Sequence, residues 1–138
     1  MIAYFDTSAL VKLLIDEPGS DIAEASWHAA DVRVCCTVGF TEAAAAIGRA
    51  WRTGRIDEPT THALLVDLAG LWTGVTRVLA DDLLAGDAAK LAVFHGLRGY
   101  DAVHLAASIE PGATLVAADG ALLAAAREAG LDTIDVNG

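Results

Sequence analysis

Strand-length apolar runs alternate with longer helical patterns along this chain, and that alternation constrains the fold more than any other feature. Strands are expected near 2–5, 32–38, 75–79, 114–118 and 132–136, and helices over 8–16, 20–30, 40–53, 58–72, 82–97, 101–109 and 120–129. Strands interleaved with helices imply βαβ units and a parallel sheet. Right-handed crossovers then place helices on both faces of that sheet. Turn chemistry marks the same breaks. Asp16-Glu17-Pro18-Gly19-Ser20 reads as a turn leading to an N-cap, and Asp57-Glu58-Pro59 as an acidic cap with proline in the first helical turn. Gly54, Gly99, Gly112 and Gly130 each follow a helical run, as C-terminal stops do. No repeat, low-complexity linker or charge block divides the 138 residues, so one α/β domain over 1–138 is expected.

That length buries a sizeable core without disulfides or metal staples. Although 54% of residues are hydrophobic, no uninterrupted apolar run reaches membrane-spanning length. The first residues, Met1-Ile2-Ala3-Tyr4-Phe5-Asp6, lack the pattern of a secretory leader, so a soluble cytoplasmic protein without membrane association is expected. Cys35 and Cys36 are adjacent and would point to opposite faces of a strand, which suits neither a disulfide nor a zinc site. They read as small buried strand residues. A net charge of −10 argues against a general nucleic-acid binder but not against an enzyme acting on nucleic acid.

Four carboxylates close strand-like runs or open helices: Asp6, Glu42, Asp101 and Asp119. In a parallel α/β sheet all strand carboxyl ends lie on one edge, where ligands bind, so acids far apart in sequence meet there. Each also has a local explanation. Asp6 begins Asp6-Thr7-Ser8, three cap-forming residues; Glu42 reads as a first-turn acid; Asp101 opens an apolar helix; Asp119 precedes Gly120 in a turn-like pair. Asp81 and Asp82 follow another β-like run, and periodicity does not exclude them. Gathered carboxylates repel one another unless a cation neutralises them. Oxygen donors without a Cys or His cluster favour Mg²⁺ or Mn²⁺, whose natural chemistry with water is phosphodiester hydrolysis.

These segments resemble the PIN-domain nucleases, and among them the VapC-type toxins of toxin–antitoxin modules. Phe5-Asp6-Thr7-Ser8-Ala9-Leu10-Val11-Lys12-Leu13-Leu14 is similar to the family's first motif and Leu97-Arg98-Gly99-Tyr100-Asp101-Ala102-Val103-His104-Leu105-Ala106 to its third. Leu115-Val116-Ala117-Ala118-Asp119 is similar to its last, and Glu42 falls at the second acid. The resemblance implies a three-layer α/β/α domain with a central parallel sheet of about five strands that binds one or two Mg²⁺ or Mn²⁺ ions and cuts RNA endonucleolytically. It makes Asp6 and Asp101 the firmest metal ligands, adds Glu42 and Asp119, and sets Asp81 and Asp82 aside. One departure stands out: Ala117 occupies a position where the family often has Ser or Thr.

The resemblance also implies a cognate VapB-type antitoxin with a tail that blocks the acidic pocket, a homodimer, and a hetero-oligomer with the antitoxin. Leu10, Leu13, Leu14, Trp27 and Trp72 are candidate docking positions or core residues. Arg49, Trp51, Arg52 and Arg55 combine charge with an aromatic ring just beyond Glu42, a set that RNA phosphates and an unstacked base could use. Their alternative is a solvated helix end. His104, three residues after Asp101, reads as a hydrogen-bonded core histidine rather than a general base. Two other functions compete with the toxin reading: an RNA-processing PIN nuclease without an antitoxin, and a catalytically silent partner-binding α/β module.

Overall fold

The structure, a computed structural model, describes residues 1–138. Its elements run β1 (Ile2–Phe5), α1 (Thr7–Leu14), α2 (Ser20–Ala29), β2 (Val32–Cys36), α3 (Thr37–Arg52), α4 (Glu58–Trp72), β3 (Thr76–Val78), α5 (Asp82–His95), α6 (Gly99–Ile109), β4 (Thr114–Ala117), α7 (Gly120–Glu128) and β5 (Thr133–Asp135). The five strands form one sheet in the order β3-β2-β1-β4-β5, and every pairing is parallel. β1 and β4 are apolar and almost wholly buried, as strands covered on both faces must be. The edge strands β3 and β5 are three residues long, which limits exposed backbone.

Right-handed crossovers in this order put α1–α4 over one face and α5–α7 over the other. The packing agrees: α1 lies against α2 and α3, α3 against α4, α5 against α6, and α6 against α7. The order in which strands are added reverses at β1 and β4, and the crevice at their carboxyl ends is where an open α/β sheet offers a ligand site. Tyr4, Phe5, Leu10, Leu105, Leu115, Leu122 and Leu123 fill the layers around the central strands. No helix is long and apolar enough to cross a membrane.

Two local expectations are corrected. The second strand ends at Cys36, and α3 begins at Thr37 with no connecting loop. Val38 extends the β-like composition of the run, but Gly39 lets the first turn of α3 fold back on the strand. A β-carbon there would run into Cys35 Sγ. Glu42 therefore lies in the second turn of α3, not the first. Because Cys35 is fully buried, Gly39→Ala is expected to destabilise the protein by about 1–3 kcal/mol, read from the denaturant midpoint. Gly99, expected to stop a helix, instead starts α6. The stop for α5 is Gly96, with φ +65° in the left-handed region.

Candidate active site

Asp6, Glu42, Asp101 and Asp119 all line one cavity of about 730 Å³ at the carboxyl edge of the sheet. They arrive from four elements: the end of β1, the second turn of α3, the first turn of α6 and the end of β4. Asp81 does not line this cavity; it caps α5 by accepting from Leu84 N–H. Tertiary structure thus separates the acids that local pattern left equivalent.

Capping and site roles coexist because a carboxylate has two oxygens. Asp6 Oδ1 accepts from Ala9 N–H (2.9 Å), capping α1, and from Ser8 Oγ–H (2.6 Å). Ser8 Oγ in turn accepts from Ala118 N–H (2.9 Å), tying the start of α1 to the end of β4. Asp6, not Thr7 or Ser8, is the cap, and its Oδ2 has no hydrogen-bond donor from the protein. Asp119 repeats the device: Oδ1 caps α7 through Leu122 N–H (3.0 Å), while Oδ2 lies 3.5 Å from Arg98 Nη2. Arg98 Nε donates to Asp101 Oδ2 (3.3 Å), so one exposed guanidinium bridges two acids.

Glu42 is held from the protein interior. Its Oε1 accepts from Thr7 Oγ1–H (2.7 Å) and lies 2.7 Å from Nε2 of the buried His104. Tyr4 Oη approaches the other ring nitrogen, Nδ1, at 2.7 Å and accepts from Cys36 N–H at 3.0 Å. His104 is a hydrogen-bonded core residue, as its position in the α6 pattern predicts.

The electrostatics follow the burial. Burial raises the Asp6 carboxyl to about 6, against the opposing pull of its bonds from Ser8 and Ala9. Burial, then the neighbouring Asp119 charge, raises Asp101, while Arg98 opposes the rise. Burial also pushes Glu42 up, but the bonds from His104 and Thr7 outweigh it and hold the carboxyl below its usual value. No three of these side chains converge tightly enough to form a closed chelate. The donor set nonetheless fits a hard cation that keeps several waters and needs only one or two carboxylates from the protein, as Mg²⁺ does. The oxygens left without protein donors on Asp6 and Glu42 are the kind of ligand such an ion takes.

Around the acids runs a basic rim. Lys12, Arg49, Arg55 and Arg98 line the cavity, four of the nine Lys and Arg residues in a chain of net charge −10. Lys12 (3.2 Å) and Arg55 (3.4 Å) both pair with Glu17, a further carboxylate in the lining. Arg52 is exposed and does not line the cavity, and Trp51 is 44% exposed beside it. Sequence reasoning assigned no site role to Arg98, although its spacing of three from Asp101 on a helix start was an available signal. Nothing in the sequence pointed to Tyr4. Leu10 and Trp72 are buried and thereby removed from the candidate docking positions. Ala117 is fully buried and does not line the cavity, whereas Ala118 does.

Comparison with known proteins places this geometry in a family. A family model described as PIN domain matches residues 3–128. Ribonuclease VapC45 of Mycobacterium tuberculosis (strain CDC 1551 / Oshkosh) is 34% identical over 132 residues, covering 94% of this chain and 92% of the relative. Ribonuclease VapC49 of strain ATCC 25618 / H37Rv matches to the same extent. Among solved structures, PAE2754 from Pyrobaculum aerophilum has a TM-score of 0.73 at 24% identity, covering 99% of this chain and 90% of that one. VapC20 of M. tuberculosis, described as a Sarcin-Ricin loop cleaving toxin, has a TM-score of 0.73 at 21% identity, with 89% and 94% covered. VapBC-1 from nontypeable Haemophilus influenzae has a TM-score of 0.69 at 14% identity, with both chains covered over their full length. These structural likenesses establish the fold.

Proposed function

Because this chain belongs to the PIN-domain family, we propose that it is a metal-dependent endoribonuclease of the VapC toxin type, acting in the cytoplasm and neutralised by a cognate VapB-type antitoxin. One observation carries the reading: Asp6, Glu42, Asp101 and Asp119, from four separate elements, share a cavity with four basic side chains, two of which (Lys12 and Arg55) pair with a fifth lining carboxylate, Glu17. An acidic centre alone repels a polyanion. An acidic centre ringed by arginine and lysine suits a polyanion whose reacting phosphate meets a cation while its flanking phosphates meet the rim.

In this proposal Asp6 and Asp101 hold one or two Mg²⁺ or Mn²⁺ ions, with Glu42 and Asp119 completing the site directly or through waters. The bound ion would supply charge neutralisation at the scissile phosphate and a water of lowered pKa. The chain's own residues do the rest. Ser8 and Ala9 N–H orient Asp6, Thr7 and His104 orient Glu42, and the α7 cap orients Asp119. Arg98 neutralises Asp101 and Asp119 at the mouth and, being exposed, is free to turn toward a phosphate. His104 does not serve as a general base, since both ring nitrogens are engaged and the ring is buried.

Arg49→Ala and Arg55→Ala are each expected to weaken binding of single-stranded RNA and to reduce the slope of log K against log salt by about 0.7. Arg52→Ala, outside the cavity, is expected to leave that slope unchanged. Equal slopes for all three variants would refute the basic-rim reading. Titrating fluorescein-labelled RNA at several salt concentrations, with the metal omitted to prevent cleavage, makes the measurement. The antitoxin part is tested separately. Co-expression of a neighbouring small DNA-binding protein should suppress cleavage by the purified complex; cleavage that persists would favour an RNA-processing nuclease.

A further inference from the structure

Glu42 differs from the other three acids in how it is held. Backbone or adjacent residues orient Asp6 and Asp119, and the exposed Arg98 faces Asp101. Glu42 instead ends a chain of contacts through the protein interior: Cys36 N–H to Tyr4 Oη, Tyr4 Oη to His104 Nδ1, His104 Nε2 to Glu42 Oε1. Its members come from the β2–α3 junction, β1, α6 and α3, so no local sequence pattern contains it.

The donors and acceptors along these contacts favour one direction. Tyr4 Oη already accepts from Cys36 N–H, and its own proton has His104 Nδ1 within 2.7 Å as acceptor. The arrangement that satisfies every one of these groups leaves Nδ1 bare and puts the ring proton on Nε2, which faces Glu42 Oε1 at 2.7 Å and Thr7 Oγ1 at 3.2 Å. Thr7 Oγ1–H donates to that same oxygen. Both donors therefore converge on Oε1, and Oε2 is left to the cavity. The opposite tautomer would set a nitrogen lone pair against a carboxylate oxygen.

We infer that Tyr4 and His104 are positioning residues: Tyr4 selects the Nε2–H tautomer of His104, and His104 fixes the Glu42 carboxylate so that one oxygen alone is presented to a divalent cation or its water. This rests on the metal-site reading above and adds to it a buried lever on metal affinity. Outer hydrogen-bond partners of metal ligands are typically worth about 10–100-fold in affinity.

The test combines a ring-nitrogen spectrum with Mn²⁺ titration calorimetry, each on protein whose folding has been checked by thermal melting. The ¹⁵N spectrum of the metal-free protein should place the His104 proton on Nε2, and Tyr4→Phe should reduce that population. Mn²⁺ should bind about 10–100-fold more weakly to His104→Leu. His104→Gln, which can return an N–H donor toward Glu42, should recover much of that loss, and Tyr4→Phe should fall between. Adding His104→Leu to Glu42→Gln should cost nothing further. A proton on Nδ1 would overturn the inference. So would His104→Leu binding Mn²⁺ as tightly as wild type, or a folded His104→Gln no better than His104→Leu. If His104→Leu does not fold, Tyr4→Phe and His104→Gln decide alone. Wild type that takes up no Mn²⁺ would sink the metal reading instead, and the ring spectrum would then judge the tautomer by itself.

Discussion

Replacing Asp6 by Asn is expected to make the metal-free protein more stable at neutral pH while abolishing RNA cleavage. Asp6 is 4% exposed, and burial raises its carboxyl to about 6 from an ordinary 3.8. Its folded-state value lies above its unfolded one, so the native state binds the extra proton between those values. The stability tied to this group is therefore full below about pH 3.8, falls as pH rises through about 6, and is flat beyond. A difference of that size is worth about 3 kcal/mol in the ionised state. Asn keeps an oxygen to accept from Ser8 and Ala9, so the cap survives and the unneutralised charge does not. The melting temperature of metal-free Asp6→Asn should rise by on the order of 5–10 °C at pH 7.5, and its stability should lose most of the fall between pH 4 and 6. Asp101, also raised by burial, adds a slope of the same sign; Glu42, held low, adds one of opposite sign at the acid end. Mg²⁺ or Mn²⁺ should stabilise wild type by about 2.7 kcal/mol at a hundred times its dissociation constant and should stabilise Asp6→Asn far less. Thermal melts across pH, with and without metal, measure all of this. A variant less stable than wild type at pH 7.5 without metal would show that the Asp6 charge contributes more as a helix cap than its burial costs.

Asp101→Asn is expected to reduce Mg²⁺- or Mn²⁺-dependent RNA cleavage by more than about 100-fold with little loss of stability. Even outer partners of a metal site are worth 10–100-fold, and a direct ligand exceeds them. Asp101 sits in the first turn of α6 but does not cap it, since Arg98 holds the N-cap position and no backbone N–H bonds to the Asp101 carboxylate. The fold therefore does not depend on its charge. Removing metal with a chelator should silence wild type, and added Mn²⁺ should restore it. Cleavage that survives both Asp101→Asn and chelation would overturn the proposed mechanism. No cleavage by wild type under any metal would favour the catalytically silent module. Gel analysis of a mixed RNA pool distinguishes these outcomes.

Periodicity in the sequence located every strand and helix to within a few residues, because buried parallel strands are short apolar runs and surface helices carry one apolar face. It failed at the β2–α3 junction. There the β-branched residues of Thr37-Val38 continue the strand signal, whereas the chain turns into α3 at Thr37, where Gly39 leaves the space a β-carbon would take from Cys35 Sγ. The acids were visible as candidates, but six candidates could not be reduced to four from local pattern. Cap or turn chemistry could explain Asp6, Glu42, Asp101 and Asp119, and only the family resemblance set Asp81 and Asp82 aside.

The sequence by itself determined the layer order of the fold and the presence of acids at its carboxyl edge, since both depend on short-range patterns and a general rule of chain handedness. The tertiary structure decided what each acid can do. It showed that Asp6 and Asp119 each cap a helix with one oxygen, that Asp81 lies outside the cavity, and that Arg98 bridges Asp101 and Asp119. It also brought Tyr4 and His104, a hundred residues apart, into one hydrogen-bonded chain on Glu42. Directions and distances between side chains from different elements are set by packing, and no periodicity within one element encodes them.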